Sequence, residues 1–89
     1  MQINHTILRG NCGDATPEQI NRYAYLCTVA LESAFPAAEI NVRVAPGEGA
    51  GPATTVEFDD DFDGDRTHDE LVASDIPQIV WEKGEFWND

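Results

Sequence analysis

Residues 57–70 concentrate carboxylates, the side chains that bind metal ions and basic groups. Eight of the seventeen acids of the chain lie in this stretch, with Arg66 as its one Arg or Lys. We call residues 57–70 the acidic segment. Its acids are Glu57, Asp59, Asp60, Asp61, Asp63, Asp65, Asp69 and Glu70. Carboxylates at this density coordinate a hard cation, attract a basic partner, or form a solvated loop. The spacing and the neighbours of these residues bear on which of the three roles applies.

Residues 59–70 also follow the spacing of a calcium loop. Aspartates alternate up to Gly64 at the turn, and Glu70 closes the span. The stretch resembles the EF-hand calcium loop, and this resemblance implies calcium as the ligand. The implied ligands are Asp59, Asp61, Asp63, the carbonyl of Asp65, and Glu70 as a bidentate group. The residues before the loop favour a strand where an EF-hand has a helix, and Arg66 stands where that loop is aliphatic. Calcium is therefore the alternative interpretation.

The favoured interpretation is an acidic surface that binds a basic protein. The formal net charge of −12 repels nucleic acid and anionic membranes, and it steers association with basic surfaces. Extended residues rise about 3.3 Å each, close to the spacing of about 3.4 Å between charges on one DNA strand. We therefore expect a partner surface of the nucleic-acid-binding kind. The predicted contact residues are Glu57, Asp59, Asp60, Asp61, Asp63, Asp65 and Asp69. Adaptation to a salty habitat would produce the same charge, and the sequence leaves that alternative open.

Other chemistries lack the residues that they need. His5 and His68 are the only histidines, and neither stands in a recognisable catalytic context. Cys12 and Cys27 do not have the short paired spacing of a zinc site, and we expect them to be reduced, with pairing left open. The glycines of "GEGAG" at 47–51 lack the lysine of a phosphate-binding loop. We expect a protein without enzymatic activity or cofactor.

The first helix is indicated by its cap. In "TPEQ", Thr16 and Gln19 form a capping box and Pro17 takes the first helical position, which predicts a helix over 17–35. Its middle is apolar nearly all the way round, so it should be covered on two sides. The second cover is predicted to be the C-terminal segment, with a second copy in a homo-oligomer as the alternative.

The remaining elements follow from alternation and from a second capping motif. Apolar and polar residues alternate as in strands over 39–44 and 54–58, and less regularly over 2–8. Thr67 and Glu70 predict a capping box at the start of a second helix. Pro77 is expected to kink that helix and to leave a turn that Gly84 ends.

The element order β-α-β-β-α predicts a single α+β domain over residues 1–89. We expect a small antiparallel sheet of about three strands with both helices on one face and the other face wet. In the tail, Phe86 and Trp87 are predicted to pack back onto the domain, and Trp81 is the stronger core candidate. No stretch approaches the roughly 20 apolar residues of a membrane span, so we expect a cytoplasmic protein without membrane contact.

In size, acidity and α+β composition, and in having no catalytic constellation, the chain resembles small phage-encoded inhibitors of host defence. Several anti-CRISPR proteins are of this type. The resemblance covers these global features of the chain and no shared motif. It implies a nucleic-acid mimic that blocks a bacterial nuclease complex stoichiometrically.

Overall fold

The computed structural model describes residues 1–49 and 53–87, and its elements follow the predicted order. The strands are β1 (Gln2–Leu8), β2 (Glu39–Ala45) and β3 (Thr54–Glu57). The helices are α1 (Pro17–Ala34) and α2 (Arg66–Lys83), and single turns of 3-10 helix cover Arg9–Asn11 and Glu85–Trp87. The α+β class and the order β-α-β-β-α are confirmed.

The sheet is mixed, so the prediction of an antiparallel sheet was wrong. Its strand order is β2-β1-β3, with β1 in the centre. β2 runs parallel to β1, from Gln2 opposite Glu39 to Leu8 opposite Ala45, whereas β3 is antiparallel, with His5 opposite Thr54. Helix α1 carries the chain back to the same end of the sheet before β2 begins, and such a crossover makes neighbouring strands parallel. β2 and β3 therefore flank β1 instead of pairing with each other.

One face of the sheet is covered and the other is wet, as predicted. On the covered face, Ile7 packs in a core cluster with Cys27 of α1, and Ile3 packs with Leu31 of α1 and Ala73 of α2. The wet face carries polar pairs between β1 and β2. Asn41 Nδ2 donates to Asn4 Oδ1 at 3.3 Å, and Arg43 Nε donates to Thr6 Oγ1 at 3.3 Å.

Helix α1 begins as the sequence predicts. Gln19 N donates to Thr16 Oγ1 at 3.1 Å, and Thr16 N donates to Gln19 Oε1 at 2.8 Å, which completes the capping box. The predicted C-terminal cover is present on one side, because Phe86 packs against Tyr23 with ring centroids 5.1 Å apart. On another side Tyr25 is 67% exposed and Val29 is 42% exposed. A second copy over that side stays a prediction.

Helix α2 differs from its prediction at its start and at its proline. Its N-cap is Asp65, whose Oδ1 accepts from His68 N at 3.0 Å, so the predicted capping box of Thr67 and Glu70 was wrong. Asp65 precedes the helix with extended backbone, which is the geometry a capping side chain needs. The helix also continues through Pro77 to Lys83, and the expected break does not occur.

The burial of Pro77 explains why the helix tolerates it. A proline inside a helix costs about 3 kcal/mol, because it removes one backbone hydrogen bond and crowds the preceding turn. Here Pro77 is buried, and its carbonyl accepts from the Tyr23 hydroxyl at 2.9 Å. Tertiary packing therefore overrides the local preference. Gly84, with φ 68°, caps the C-terminus of this continuous helix, whereas it had been predicted to end a separate turn after the kink.

The C-terminal aromatics form one cluster with α1. Phe86 is fully buried, Trp81 is half-buried and in ring contact with it at 4.9 Å, and Trp87 is 40% exposed. The predicted packing is confirmed for Phe86 and only partial for Trp87. The ranking of Trp81 as the stronger core candidate was wrong, because Phe86 is the fully buried member. Cys12 and Cys27 are free thiols, and both are buried. None of the helices that the structure describes is long and apolar enough to cross a membrane.

Candidate functional site: the acidic segment

The acidic segment spans the end of β3, a loop, and the first turn of α2. Glu57 closes β3 on the wet face of the sheet, and Arg66 opens α2. Seven of the eight acids are exposed. They are Glu57, Asp59, Asp60, Asp61, Asp63, Asp65 and Glu70. Asp69 is half-buried in the first turn of α2, where the partial positive charge of the helix N-terminus favours a carboxylate.

Two phenylalanines hold this loop from the protein side. Phe58 and Phe62 are half-buried, with ring centroids 4.7 Å apart at an angle of 42°. Arg66 lies over the Phe58 ring at 5.5 Å, a cation–π contact that also places its Nη2 3.5 Å from the carbonyl of Asp59. The turn itself is closed by Phe62 N, which donates to the Asp59 carbonyl at 3.0 Å. The apolar residues of the loop therefore turn inward and its aspartates outward.

Gly64 has a role here that differs from the sharp turn of a calcium loop. Its backbone lies outside the left-handed region, which among the described glycines is occupied by Gly13, Gly47 and Gly84. A Cβ at Gly64 would instead stand 2.7 Å from Cζ of Phe62. The absence of a side chain is what allows the Phe62 ring to approach the backbone.

Two of the aspartates already have structural partners. Asp59 Oδ2 accepts from the backbone nitrogen of Met1 at 2.9 Å, and Asp65 caps α2. Within residues 1–49 and 53–87, the carboxylates of Asp60, Asp61 and Asp63 have neither an ion pair nor a hydrogen bond. These three aspartates, which we call the free triad, hold their charge uncompensated.

The residues implied by the calcium-loop pattern do not converge. No three His, Cys, Asp or Glu residues in the described part of the chain lie close enough to hold a metal ion. The side chain of Asp65 caps α2, which leaves open the backbone carbonyl that the calcium-loop pattern implies, and Glu70 is exposed on α2. A strand precedes the loop where an EF-hand has a helix. Calcium binding stays a prediction to which this geometry adds no support.

The two cysteine thiols are shielded from reaction. Burial raises the pKa of Cys27 to about 11 and also raises that of Cys12. The thiolate is the nucleophilic form, so neither side chain is activated at neutral pH. The Sγ of Cys12 donates to the carbonyl of Leu8 at 3.4 Å. Both residues serve the core.

Sequence reasoning missed the residues that brace the loop and one polar pair in the core. The alternation of β3 marked Phe58 as an inward residue, but nothing local indicated that Phe62 and Arg66 would join it. His5 was expected to be an ordinary residue of a strand; its Nδ1 lies 2.8 Å from Thr54 Oγ1 across the β1–β3 pair. These partners are separated by 49 positions, so no local pattern could reveal the contact.

Comparison with the models of known protein families finds no match, and comparison with curated protein sequences finds none either. The function of the chain has to be argued from its own surface.

Proposed function

We propose that this chain is a non-enzymatic binding protein whose acidic segment occupies a basic protein surface of the nucleic-acid-binding kind. The observation that carries the proposal is the free triad, three exposed aspartates without a partner among the described residues. An exposed ion pair has to be broken before its charge can meet a new partner. Asp59 is paired with the Met1 nitrogen in this way, whereas the three aspartates of the free triad have no such pair among the described residues. The carboxylates are available as they stand.

The bracing of the loop supports the same function. Ordering a flexible side chain or loop on binding costs about 0.5–1.5 kcal/mol per immobilised side chain. The Phe58–Phe62 contact and the Arg66 cation–π contact supply part of that order in the free protein. A negative surface that is already shaped can therefore turn more of its electrostatic attraction into affinity.

Charge also decides which partner fits. A formal charge of −12 disfavours nucleic acid and anionic membranes and favours a basic protein. A protein surface built to hold phosphates offers the densest array of Arg and Lys. Occupying such a surface excludes the nucleic acid, so the chain acts as a stoichiometric inhibitor, as the resemblance to anti-CRISPR proteins also implies. We place this action in the cytoplasm, where reduced cysteines such as Cys12 and Cys27 are the norm.

Neutralising the free triad tests the proposal. The triple variant Asp60→Asn, Asp61→Asn, Asp63→Asn removes three charges and keeps the shape of each side chain. Exposed pairs contribute about 0.2–1 kcal/mol each, so binding should weaken roughly 3- to 150-fold at low salt. The assay is capture of a partner from host lysate by the immobilised protein, followed by competition of the captured protein with duplex DNA.

A matched control removes three carboxylates elsewhere. Asp14, Glu32 and Asp75 are exposed and lie outside the acidic segment. The variant Asp14→Asn, Glu32→Gln, Asp75→Asn has the same net charge as the triad variant and should capture the partner almost as well as the natural chain. Equal losses in the two variants would mean that net charge and not the acidic segment matters. Capture that is insensitive to salt, or that duplex DNA does not displace, would contradict the proposal.

A further inference from the structure

A cleft of about 520 Å³ opens beside the central strand, away from the free triad. Residues of β1, the start of β3 and the C-terminal half of α2 line it. Its apolar lining includes Ile7, Tyr23 and Pro77, which are buried, and the half-buried Trp81. Small-molecule sites have volumes of about 300–1,000 Å³ and this mixture of an apolar lining with a few polar groups.

The lining also contains a buried polar residue, His5. It occupies an inward position of β1 between Ile3 and Ile7, where an apolar side chain would be expected, and only 7% of it is exposed. A buried polar group is costly unless it is hydrogen-bonded. Nδ1 has its partner in Thr54 Oγ1 at 2.8 Å, a cross-strand contact that fixes the orientation of the ring.

The other ring nitrogen of His5 is Nε2, and His5 lines the cleft. Nε2 has no hydrogen-bond partner among the described residues. In the described part of the chain, every fully buried side-chain nitrogen or oxygen has a hydrogen-bond partner. Because Nε2 has no partner, it is not fully buried, and solvent reaches it. The solvent-accessible space that His5 lines is the cleft. We therefore place Nε2, whose orientation the contact with Thr54 fixes, at the cleft beside the apolar residues of its lining.

The charge of the lining selects the ligand. Among the described residues, no Asp, Glu, Lys or Arg lines the cleft, and burial lowers the pKa of His5, which keeps its ring neutral at pH 7. At the rim, Asn11, Ser74 and Gln78 add uncharged polar groups. An anion would find no counter-charge here and would be repelled by the net charge of the protein.

We infer that this cleft is a binding site for a small uncharged ring compound that carries a hydrogen-bonding group. The ring packs against the apolar lining that includes Trp81, and the polar group bonds to Nε2 of His5. A neutral imidazole presents Nε2 as either donor or acceptor, so an amide, which offers both, satisfies either tautomer. This site is independent of the acidic segment and of its partner.

Titration of the isotope-labelled full chain with benzamide tests the inference, with NMR as the readout. We expect saturable shifts of the Trp81 indole N–H and of the backbone around His5 and Thr54, and no saturation elsewhere. Benzoate, which has the same ring but a negative charge, should bind at least tenfold more weakly. Absence of saturable shifts with benzamide, or equal affinity for benzoate, would overturn the inference.

Two variants connect binding to this cleft. Ser74 lies at the exposed rim, so Ser74→Phe fills the cleft without disturbing the core; it should weaken benzamide binding at least tenfold. The control is Ser33→Phe, which adds the same side chain at an exposed position of α1 outside the lining and should leave the affinity unchanged. Thr54→Val, which removes the hydroxyl that orients His5, should weaken binding several-fold. Unchanged affinity in both Ser74→Phe and Thr54→Val would refute the site.

Discussion

Replacing Gly64 with alanine asks whether the Phe58–Phe62 contact holds the acidic loop in shape. The added Cβ would stand 2.7 Å from Cζ and 3.1 Å from Cε1 of the Phe62 ring. The backbone at Gly64 is not left-handed, so alanine can adopt it, and the three atoms nearest to the added Cβ all belong to the Phe62 ring. We expect the ring to swing away and to lose its contact with Phe58, now at 4.7 Å.

A second glycine supplies the scale for this effect. A Cβ at Gly49 would meet no atom of the described residues within 4 Å, and Gly49 is also outside the left-handed region. Both alanine variants restrict the unfolded chain and gain about 0.4–1 kcal/mol from it. An aromatic pair contributes about 0.5–1.5 kcal/mol beyond its buried area. Gly64→Ala should therefore be about 0.5–1.5 kcal/mol less stable than Gly49→Ala, a difference of about 2–12 °C in Tm.

The assay is thermal and urea unfolding of the two variants side by side, repeated with Phe62 replaced by alanine. Without the ring there is no obstacle, so Gly64→Ala should then be as stabilising as Gly49→Ala. Partner capture should weaken in Gly64→Ala and not in Gly49→Ala, because the loop has lost part of its order. A Gly64→Ala protein that melts no lower than Gly49→Ala would refute this account of the loop.

Three further predictions concern the stability of the whole domain. Tyr23→Phe removes the hydroxyl that donates to the Pro77 carbonyl at 2.9 Å. It should lower the free energy of unfolding, measured with urea, by about 1 kcal/mol. The control is Tyr25→Phe, at a side chain that is 67% exposed, which should leave this free energy unchanged. Burial lowers the pKa of His5 from 6.5, so on acidification the unfolded state takes up this proton before the folded state does. The contribution of His5 to the free energy of unfolding should therefore be full above pH 6.5 and fall as the pH drops below it. The variant His5→Leu should flatten this dependence of stability on pH between about pH 7 and 5.5. Sodium chloride should raise the Tm, because it screens the repulsion between the charges of a chain with net charge −12. Magnesium chloride and calcium chloride at equal ionic strength should raise the Tm by the same amount as each other. A larger increase with calcium alone would favour the calcium-loop interpretation.

The parts of the fold that were predictable from sequence depend on contacts between residues close in the chain. The Thr16 and Gln19 capping box and the start of α1 are of this kind, because capping contacts join residues three positions apart. The alternation of β2 likewise indicated which of its side chains would be the less exposed: Ile40, Val42 and Val44 are half-buried, and the residues between them are exposed. At the start of α2, two residues could serve as the N-cap. Thr67 matched a capping box with Glu70, but Asp65, two residues earlier, is the N-cap in the structure.

Strand order required information that no local pattern contains. The alternation of β2 and β3 indicated two strands but not their neighbours, and an antiparallel hairpin was the simplest arrangement. In the central position of β1, Ile3 packs with residues of both helices and Ile7 packs with residues of α1, and burial of such apolar surface is favourable. Such long-range burial also kept Pro77 within α2.

The sequence by itself determined the negative net charge, the segment in which the acidic residues are concentrated, and the strand and helix on either side of that segment. Charge depends on residue types and periodicity on short spacings along the chain, so both can be read without knowledge of the tertiary structure. Only the tertiary structure decided which carboxylates stay free: it assigned Asp65 to a helix cap and left the free triad outward above Phe58 and Phe62. It also created the cleft at His5, because His5 and Thr54 meet across 49 positions of chain once β3 docks on β1.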